Sequence, residues 1–84
     1  MEKFPSNEKP AAKLGDYVTA QVEGKEESRQ GVFVKDNGDG TIDVQGENDI
    51  YRCEAEGVVV VPDENLLTLE ARKFVADKRR ELGL

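Results

Sequence analysis

The sequence has no histidine and no tryptophan, and it has a single cysteine. Histidine is the commonest general base and a frequent metal ligand, so its absence argues against acid–base catalysis and a histidine-bound metal. Cys53 has no second cysteine for a disulfide and no histidine to activate it. We expect a buried structural thiol in a reducing compartment. The sequence therefore predicts a protein without catalytic residues, cofactor or metal.

Long apolar runs are also missing. The longest covers residues 58–62, whereas a helix that crosses a bilayer needs about 20 apolar residues. No apolar run follows Met1, so we expect no signal peptide, no membrane contact and a cytoplasmic or otherwise intracellular protein. At 84 residues, with 36% charged and 37% hydrophobic residues, the chain is expected to form one small soluble domain.

Negative charge is concentrated in the middle of the chain. The net charge of −6 divides into +1 for residues 1–13, −7 for residues 14–61 and zero for residues 62–84. An acidic middle segment repels phosphate backbones, which argues against nucleic-acid binding through that segment. If the field of this segment attracts a partner, we expect the partner to be basic.

Alternation of apolar and polar residues predicts four half-buried strands, and the run "VVVV" predicts a fifth. In the first strand, Val18 and Ala20 face inward. In the second, "GVFVKD", we expect Val32 and Val34 to face inward and Phe33 to face the opposite side. The inward residues predicted for the next two strands are Ile42, Val44, Tyr51, Cys53 and Ala55. Five short strands predict a small barrel, because curling protects the strand edges.

The period changes to that of a helix after Pro62. Asp63 and Glu64 suit a helix N-terminus, and Gly83 suits its end. The apolar stripe predicted for this helix consists of Leu67, Ala71, Phe74, Val75 and Leu82. The predicted organisation is a flexible arm (1–13), a barrel (14–62) and a helix (63–84) packed on the barrel or on a partner. A homodimer through Leu67, Phe74 and Leu82 is compatible with it, and the oligomeric state stays open.

The stretch "DNGDGTID" resembles a calcium-binding loop at first sight. With Gly40 at the sixth position of that template, Lys35 occupies the first position and Gly46 the twelfth, where acidic ligands belong. Asparagine and glycine between two alternating segments are instead typical of a hairpin turn. We therefore predict a structural turn, and weak calcium binding by the surrounding aspartates stays open.

Three segments resemble parts of Tudor-type SH3-like barrels. Gly15, Val18 and Ala20 match the opening strand of such modules, and "GVFVKDNGDGTIDV" matches their paired strands and turn. The segment "VVVVPDENLLTL" resembles the closing strand and short helical turn, so the resemblance spans about residues 14–67. It implies a small five-stranded SH3-like (Tudor-like) barrel that binds proteins.

The aromatic cage with which this family reads methylated lysine or arginine is largely absent here, because "DVQGEND" holds no aromatic residue. Tyr17 and Phe33 could form half a cage with Asp16 or Asp49, or they could simply lie under the helix. The first hypothesis is a non-catalytic module that engages a basic protein segment. Its candidate binding residues are Tyr17, Phe33, Asp36, Asp39, Asp43 and Asp49.

The basic residues near the end of the chain support an alternative hypothesis. The candidate phosphate contacts of a nucleic-acid or ribonucleoprotein-associated barrel are Arg72, Lys73, Lys78, Arg79 and Arg80. Acidic residues are interleaved with them, and pairs within the helix explain the pattern equally well. A third hypothesis is an acidic decoy that inhibits a nucleic-acid-binding protein.

Overall fold

The chain folds as one antiparallel sheet of five strands followed by a helix. The structure, a computed structural model, describes residues 12–84. Its elements are β1 (Tyr17–Gln21), β2 (Ser28–Asp36), β3 (Thr41–Gln45), β4 (Ile50–Glu54), β5 (Val59–Val61) and α1 (Leu69–Glu81). The strand order is β4-β3-β2-β1-β5. The predicted mainly β fold with a C-terminal helix is confirmed.

The sheet bends around β2. The first half of this strand, from Ser28 to Val32, pairs with β1, and the second half, from Val32 to Asp36, pairs with β3. Gly31 lies where the two halves meet. A Cβ at this position would stand 2.3 Å from the carbonyl oxygen of Gln45. Only glycine therefore lets the backbones of β2 and β3 approach this closely.

The bend brings the end of β1 to β4. A β-bridge joins Val22 to Cys53. The N–H of Glu23 donates to the carbonyl of Arg52 at 2.9 Å. These contacts between the first and fourth strands fit a curled sheet, and closure into a complete barrel stays a prediction.

Apolar side chains cover both faces of the sheet. The first cluster consists of Ala12, Val18, Ala20, Phe33, Ile42, Val44, Cys53 and Val58. The second cluster, which includes side chains of α1, consists of Val32, Leu66 and Val75, with Tyr17, Val34, Phe74 and Leu82 among the partly buried residues packed against it. The inward direction predicted for β1, β3 and Cys53 is confirmed.

The direction predicted for the side chains of β2 is wrong. Phe33 is only 2% exposed and packs in the first cluster, whereas Val32 belongs to the second cluster with residues of α1. Because both faces of this strand are covered, "VFV" is apolar throughout and its alternation carries no direction. The pairing of β2 with β3 also shifts register between Phe33 and Lys35.

The helix is shorter than the predicted span of 63–84. Asp63–Asn65 form a single 3₁₀ turn, and α1 begins after Thr68, whose side chain accepts the N–H of Ala71 at 3.0 Å. Leu67, predicted on the apolar stripe, precedes α1 and is 84% exposed, whereas its neighbour Leu66 is buried. The 3₁₀ turn shifts the phase of the chain before the helix starts, so the stripe predicted through residue 67 does not form.

The rest of the stripe packs within the chain. Phe74 and Leu82 lie against the second cluster, so the predicted dimer surface of Leu67, Phe74 and Leu82 is not one exposed face. Gly83 follows the helix with a φ of 82°, as expected of a helix stop. In the part of the chain that is described, no helix combines the length and apolar composition needed to cross a membrane.

The folded part includes the last residues of the predicted arm. Ala12 is 9% exposed and belongs to the first cluster. The N–H of Lys13 donates to Asp16 Oδ2 at 3.0 Å. The remainder of the predicted arm, residues 1–11, lies outside the described residues.

Gly31→Ala tests the close approach of β2 and β3. The added methyl group would collide with the backbone of β3, so we expect the free energy of unfolding to fall by about 1–3 kcal/mol. Urea denaturation measures it. Ser28→Ala is the control, because it places alanine at an exposed position of the same strand and should change the stability by less than about 0.5 kcal/mol. Equal effects would contradict the proposed constraint.

Candidate interaction surface

The hairpin between β2 and β3 is a turn held by its own side chains, as predicted. Asp36 Oδ1 accepts the N–H of Gly38 at 2.9 Å, and Asn37 Nδ2 donates to Asp43 Oδ1 at 3.1 Å. Gly38 and Gly40 have positive φ values, 78° and 91°. Within residues 12–84, no group of three potential ligands is placed to hold a metal ion. The aspartates of this hairpin thus serve the turn itself.

Asp39 links this turn to β4. Its carboxylate accepts the N–H and the hydroxyl of Thr41 at 3.1 and 2.6 Å, and Arg52 Nη2 lies 2.8 Å from Oδ2. The hydrogen bonds from Thr41, aided by the charge of Arg52, lower the pKa of Asp39 below its ordinary value. Arg52 Nε also lies 3.2 Å from Glu23, just beyond β1. Arg52 therefore ties three parts of the curled sheet together.

The predicted protein-binding residues do not form one site. Asp36, Asp39 and Asp43 lie at the β2–β3 turn, whereas Asp49 lies in the β3–β4 turn at the other end of β3. Phe33 is buried and cannot line an exposed face. These residues belong to the same sheet but lie at different positions on it, so they do not form one binding site.

Tyr17 lies partly buried in the second cluster. Burial raises the pKa of the Tyr17 hydroxyl, and the negative charge of Glu47 raises it further. Tyr17 is thus a neighbour of the β3–β4 turn, and its ring packs with the residues that α1 covers.

Arg79 links α1 to the rest of the fold through three hydrogen bonds. Its Nε donates to the carbonyl oxygen of Gly15 at 2.7 Å. Its two terminal nitrogens donate to the two carboxylate oxygens of Asp63, at 3.0 and 2.9 Å. These hydrogen bonds lower the pKa of Asp63 and raise the pKa of Arg79. We call this arrangement of Arg79, Asp63 and Gly15 the arginine clasp.

Other cations of the helix are also engaged within the chain. Arg72 Nε donates to the carbonyl oxygen of Leu66 at 2.7 Å. Arg80 lies 3.2 Å from Asp77, and Lys78 lies 3.5 Å from Glu81. Lys73 is exposed. Two of the five candidate phosphate contacts, Arg72 and Arg79, are therefore bound to backbone carbonyls of this fold.

A groove beside Tyr51 was not predicted from the sequence. The guanidinium carbon of Arg29 lies 5.0 Å from the centre of the Tyr51 ring, and Arg29 also forms an ion pair with Glu27. The groove has a volume of about 530 Å³. Its other lining residues are Thr19, Ser28, Gln30, Gly46, Glu47 and Asn48. Tyr51 was predicted on an inward strand face, and no local pattern in the sequence joined it to Arg29. We call this the Tyr51 groove.

A second groove lies on the other side of Glu47. It has a volume of about 570 Å³. Glu47 forms its wall on the sheet side, and α1 supplies the other lining residues, Phe74, Asp77, Lys78, Arg80 and Glu81. Glu47 is thus shared by two open grooves at the end of the sheet.

Comparison with known proteins adds nothing to the geometry described above. No family model, no curated protein and no solved structure matches this chain. The resemblance to Tudor-type barrels thus still rests on the residues quoted for it above.

Replacing Arg79 tests the arginine clasp. Arg79→Gln removes the pair with Asp63 and the hydrogen bond to Gly15, so the free energy of unfolding should fall by about 1–3 kcal/mol. Arg80→Gln removes the same charge from the next residue, whose side chain is 76% exposed, and should cost less than about 0.5 kcal/mol. Urea denaturation of both variants makes the comparison. Similar losses would mean that the clasp adds nothing beyond its charge.

Asp63 should make stability depend on pH. Its pKa is lower in the folded chain than in the unfolded chain. Its contribution is therefore complete above the unfolded value of about 4 and is lost as the pH falls through the folded value. We expect the stability difference between wild type and Asp63→Asn to be constant above about pH 5 and to close in acid.

Unfolding curves measured from pH 7 to pH 2 test this. Asp77→Asn is the control, because Asp77 pairs with the exposed Arg80 and its loss should matter little at any pH. A difference for Asp63→Asn that persists unchanged in acid would contradict the role assigned to its carboxylate.

Proposed function

We propose that this chain is a non-catalytic binding module whose acidic surface engages a basic protein segment. The observation that carries the proposal is the use of the five arginines within the fold. Arg72 and Arg79 bind backbone carbonyls, and Arg29, Arg52 and Arg80 pair with carboxylates. Their charges are directed at the protein itself rather than at a partner.

Carboxylates remain on the outside. Within residues 12–84, no ion pair involves the exposed side chains of Glu26, Asp36, Glu47, Asp49, Glu56 and Glu64. With 18 acidic residues against 12 basic ones, the outward field attracts cations and speeds their approach. A basic segment is the partner that this charge distribution favours.

The β3–β4 turn is the best place for such a segment. Glu47 and Asp49 are exposed there, and the two grooves that share Glu47 give an extended chain room on both sides. The five antiparallel strands and the bend at Gly31 are compatible with a Tudor-like SH3 barrel. The proposed mode of binding differs from the family's cage, because Phe33 is buried.

The nucleic-acid hypothesis receives less support. Of its five candidate contacts, Arg79 would have to leave Asp63 and Gly15, and Arg72 would have to leave Leu66, before either could bind a phosphate. An acidic decoy of a nucleic-acid-binding protein stays compatible with the proposal, since its target would also be basic.

Binding of a hexa-arginine peptide tests the function. Calorimetry at low salt should detect binding that weakens as salt is added, because the attraction is screened, and a hexanucleotide should not bind. The paired change Glu47→Lys with Asp49→Lys should weaken peptide binding at least tenfold. Glu56→Lys with Glu64→Lys, which alters the net charge equally outside the turn, should weaken it much less.

Two results would contradict the proposal. Binding of the hexanucleotide without the peptide would favour the nucleic-acid hypothesis. Equal weakening by both pairs of substitutions would show that the peptide responds to the overall charge and not to a binding surface.

A further inference from the structure

The Tyr51 groove has the chemistry of a site for one guanidinium group. Tyr51 is half-buried and presents its ring to the Arg29 guanidinium, whose carbon lies 5.0 Å from the ring centre. The face of an aromatic ring attracts a cation at this distance, and the planar guanidinium also stacks on it. The contact with Arg29 shows that the ring face of Tyr51 has room for a guanidinium group.

The ring is held from the side of the β3–β4 turn. A Cβ on Gly46 would stand 2.9 Å from Tyr51 Cε2, so the ring edge packs directly on the backbone of the turn. The N–H of Gly46 donates to the carbonyl of Asp49 at 2.7 Å, which fixes that backbone. Because the turn is fixed, the ring does not have to be ordered when a ligand arrives.

One carboxylate lines the groove, that of the exposed Glu47. Glu27 pairs with Arg29 and is not a lining residue. Gln30 Nε2 donates to Thr19 Oγ1 at 3.2 Å, so the wall formed by β1 and β2 is polar and already hydrogen-bonded. A cation that entered the groove would meet an aromatic face and the Glu47 carboxylate.

We propose that the Tyr51 groove binds an arginine side chain of the basic segment, and that Arg29 holds this place in the free protein. The incoming guanidinium takes the face of Tyr51 and a carboxylate, and Arg29 moves off the ring. Arginine is preferred over lysine because only a planar guanidinium stacks on the ring and pairs with a carboxylate through two parallel hydrogen bonds. This inference rests on the proposed function and names its site.

Removing the occupant is the most direct test. Arg29→Gln frees the ring face, so binding of the hexa-arginine peptide should tighten roughly two- to fivefold beyond the effect of the charge alone. Lys35→Gln removes the same charge from an exposed position elsewhere on β2 and measures that effect. In the wild type, the ring resonances of Tyr51 should shift as peptide is added.

Selectivity provides the second test. Wild type should bind hexa-arginine roughly two- to fivefold more tightly than hexalysine, and Tyr51→Leu should lose this preference while keeping the salt-dependent binding. If Tyr51→Leu does not fold, the comparison of Arg29→Gln with Lys35→Gln and the shifts of the Tyr51 ring resonances still test the arginine site.

The outcomes separate the inference from the proposed function. Peptide binding that leaves the Tyr51 resonances unmoved, with equal effects of Arg29→Gln and Lys35→Gln, overturns the arginine site and leaves the acidic module standing. Absence of peptide binding by the wild type at low salt overturns both.

Discussion

The arginine clasp is the contact on which the rest of the arrangement depends. Arg79 reaches from near the end of α1 to the carboxylate of Asp63 after β5 and to the carbonyl of Gly15 before β1. Because these two points flank neighbouring strands, one side chain fixes the helix against that end of the sheet. The helix then covers Val32 and buries Leu66 and Val75. A sheet of this size needs such a cover, since a small domain buries little surface.

The arginine clasp also affects which charges the surface offers to a ligand. A guanidinium that serves a carboxylate and a carbonyl within the chain is no longer offered to phosphates outside it. Arg52 does the equivalent near the start of β3, where it joins Asp39 and Glu23. The exposed pairs of Arg52 are expected to stabilise the fold only modestly, by about 0–1 kcal/mol each. Their larger consequence concerns the negative field of the surface, which is the basis of the proposed preference for basic partners.

Parts of the fold could be predicted because short patterns of neighbouring residues specify them. Val18 and Ala20 alternate with polar residues, and "DNGDG" has the residues that a tight turn requires. Phe33 was misassigned because Val32, Phe33 and Val34 are all apolar, and α1 buries the face that alternation would leave exposed. The arginine clasp joins residues 64 positions apart in the sequence, and the contact of Arg29 with Tyr51 likewise joins two separate strands. Such pairs depend on the fold and have no local signature.

The behaviour of individual arginine side chains tests the central claim most directly. Nitrogen-15 spectra report the exchange of each arginine Nε proton with water, before and after a phosphate oligonucleotide is added. The account predicts slow exchange at Arg79 and Arg72, fast exchange at the exposed Arg80, and no shift of Arg79 or Arg72 on addition of the oligonucleotide. Fast exchange at Arg79, together with a shift of its signal when the oligonucleotide is added, would contradict the claim that its side chain is bound within the fold.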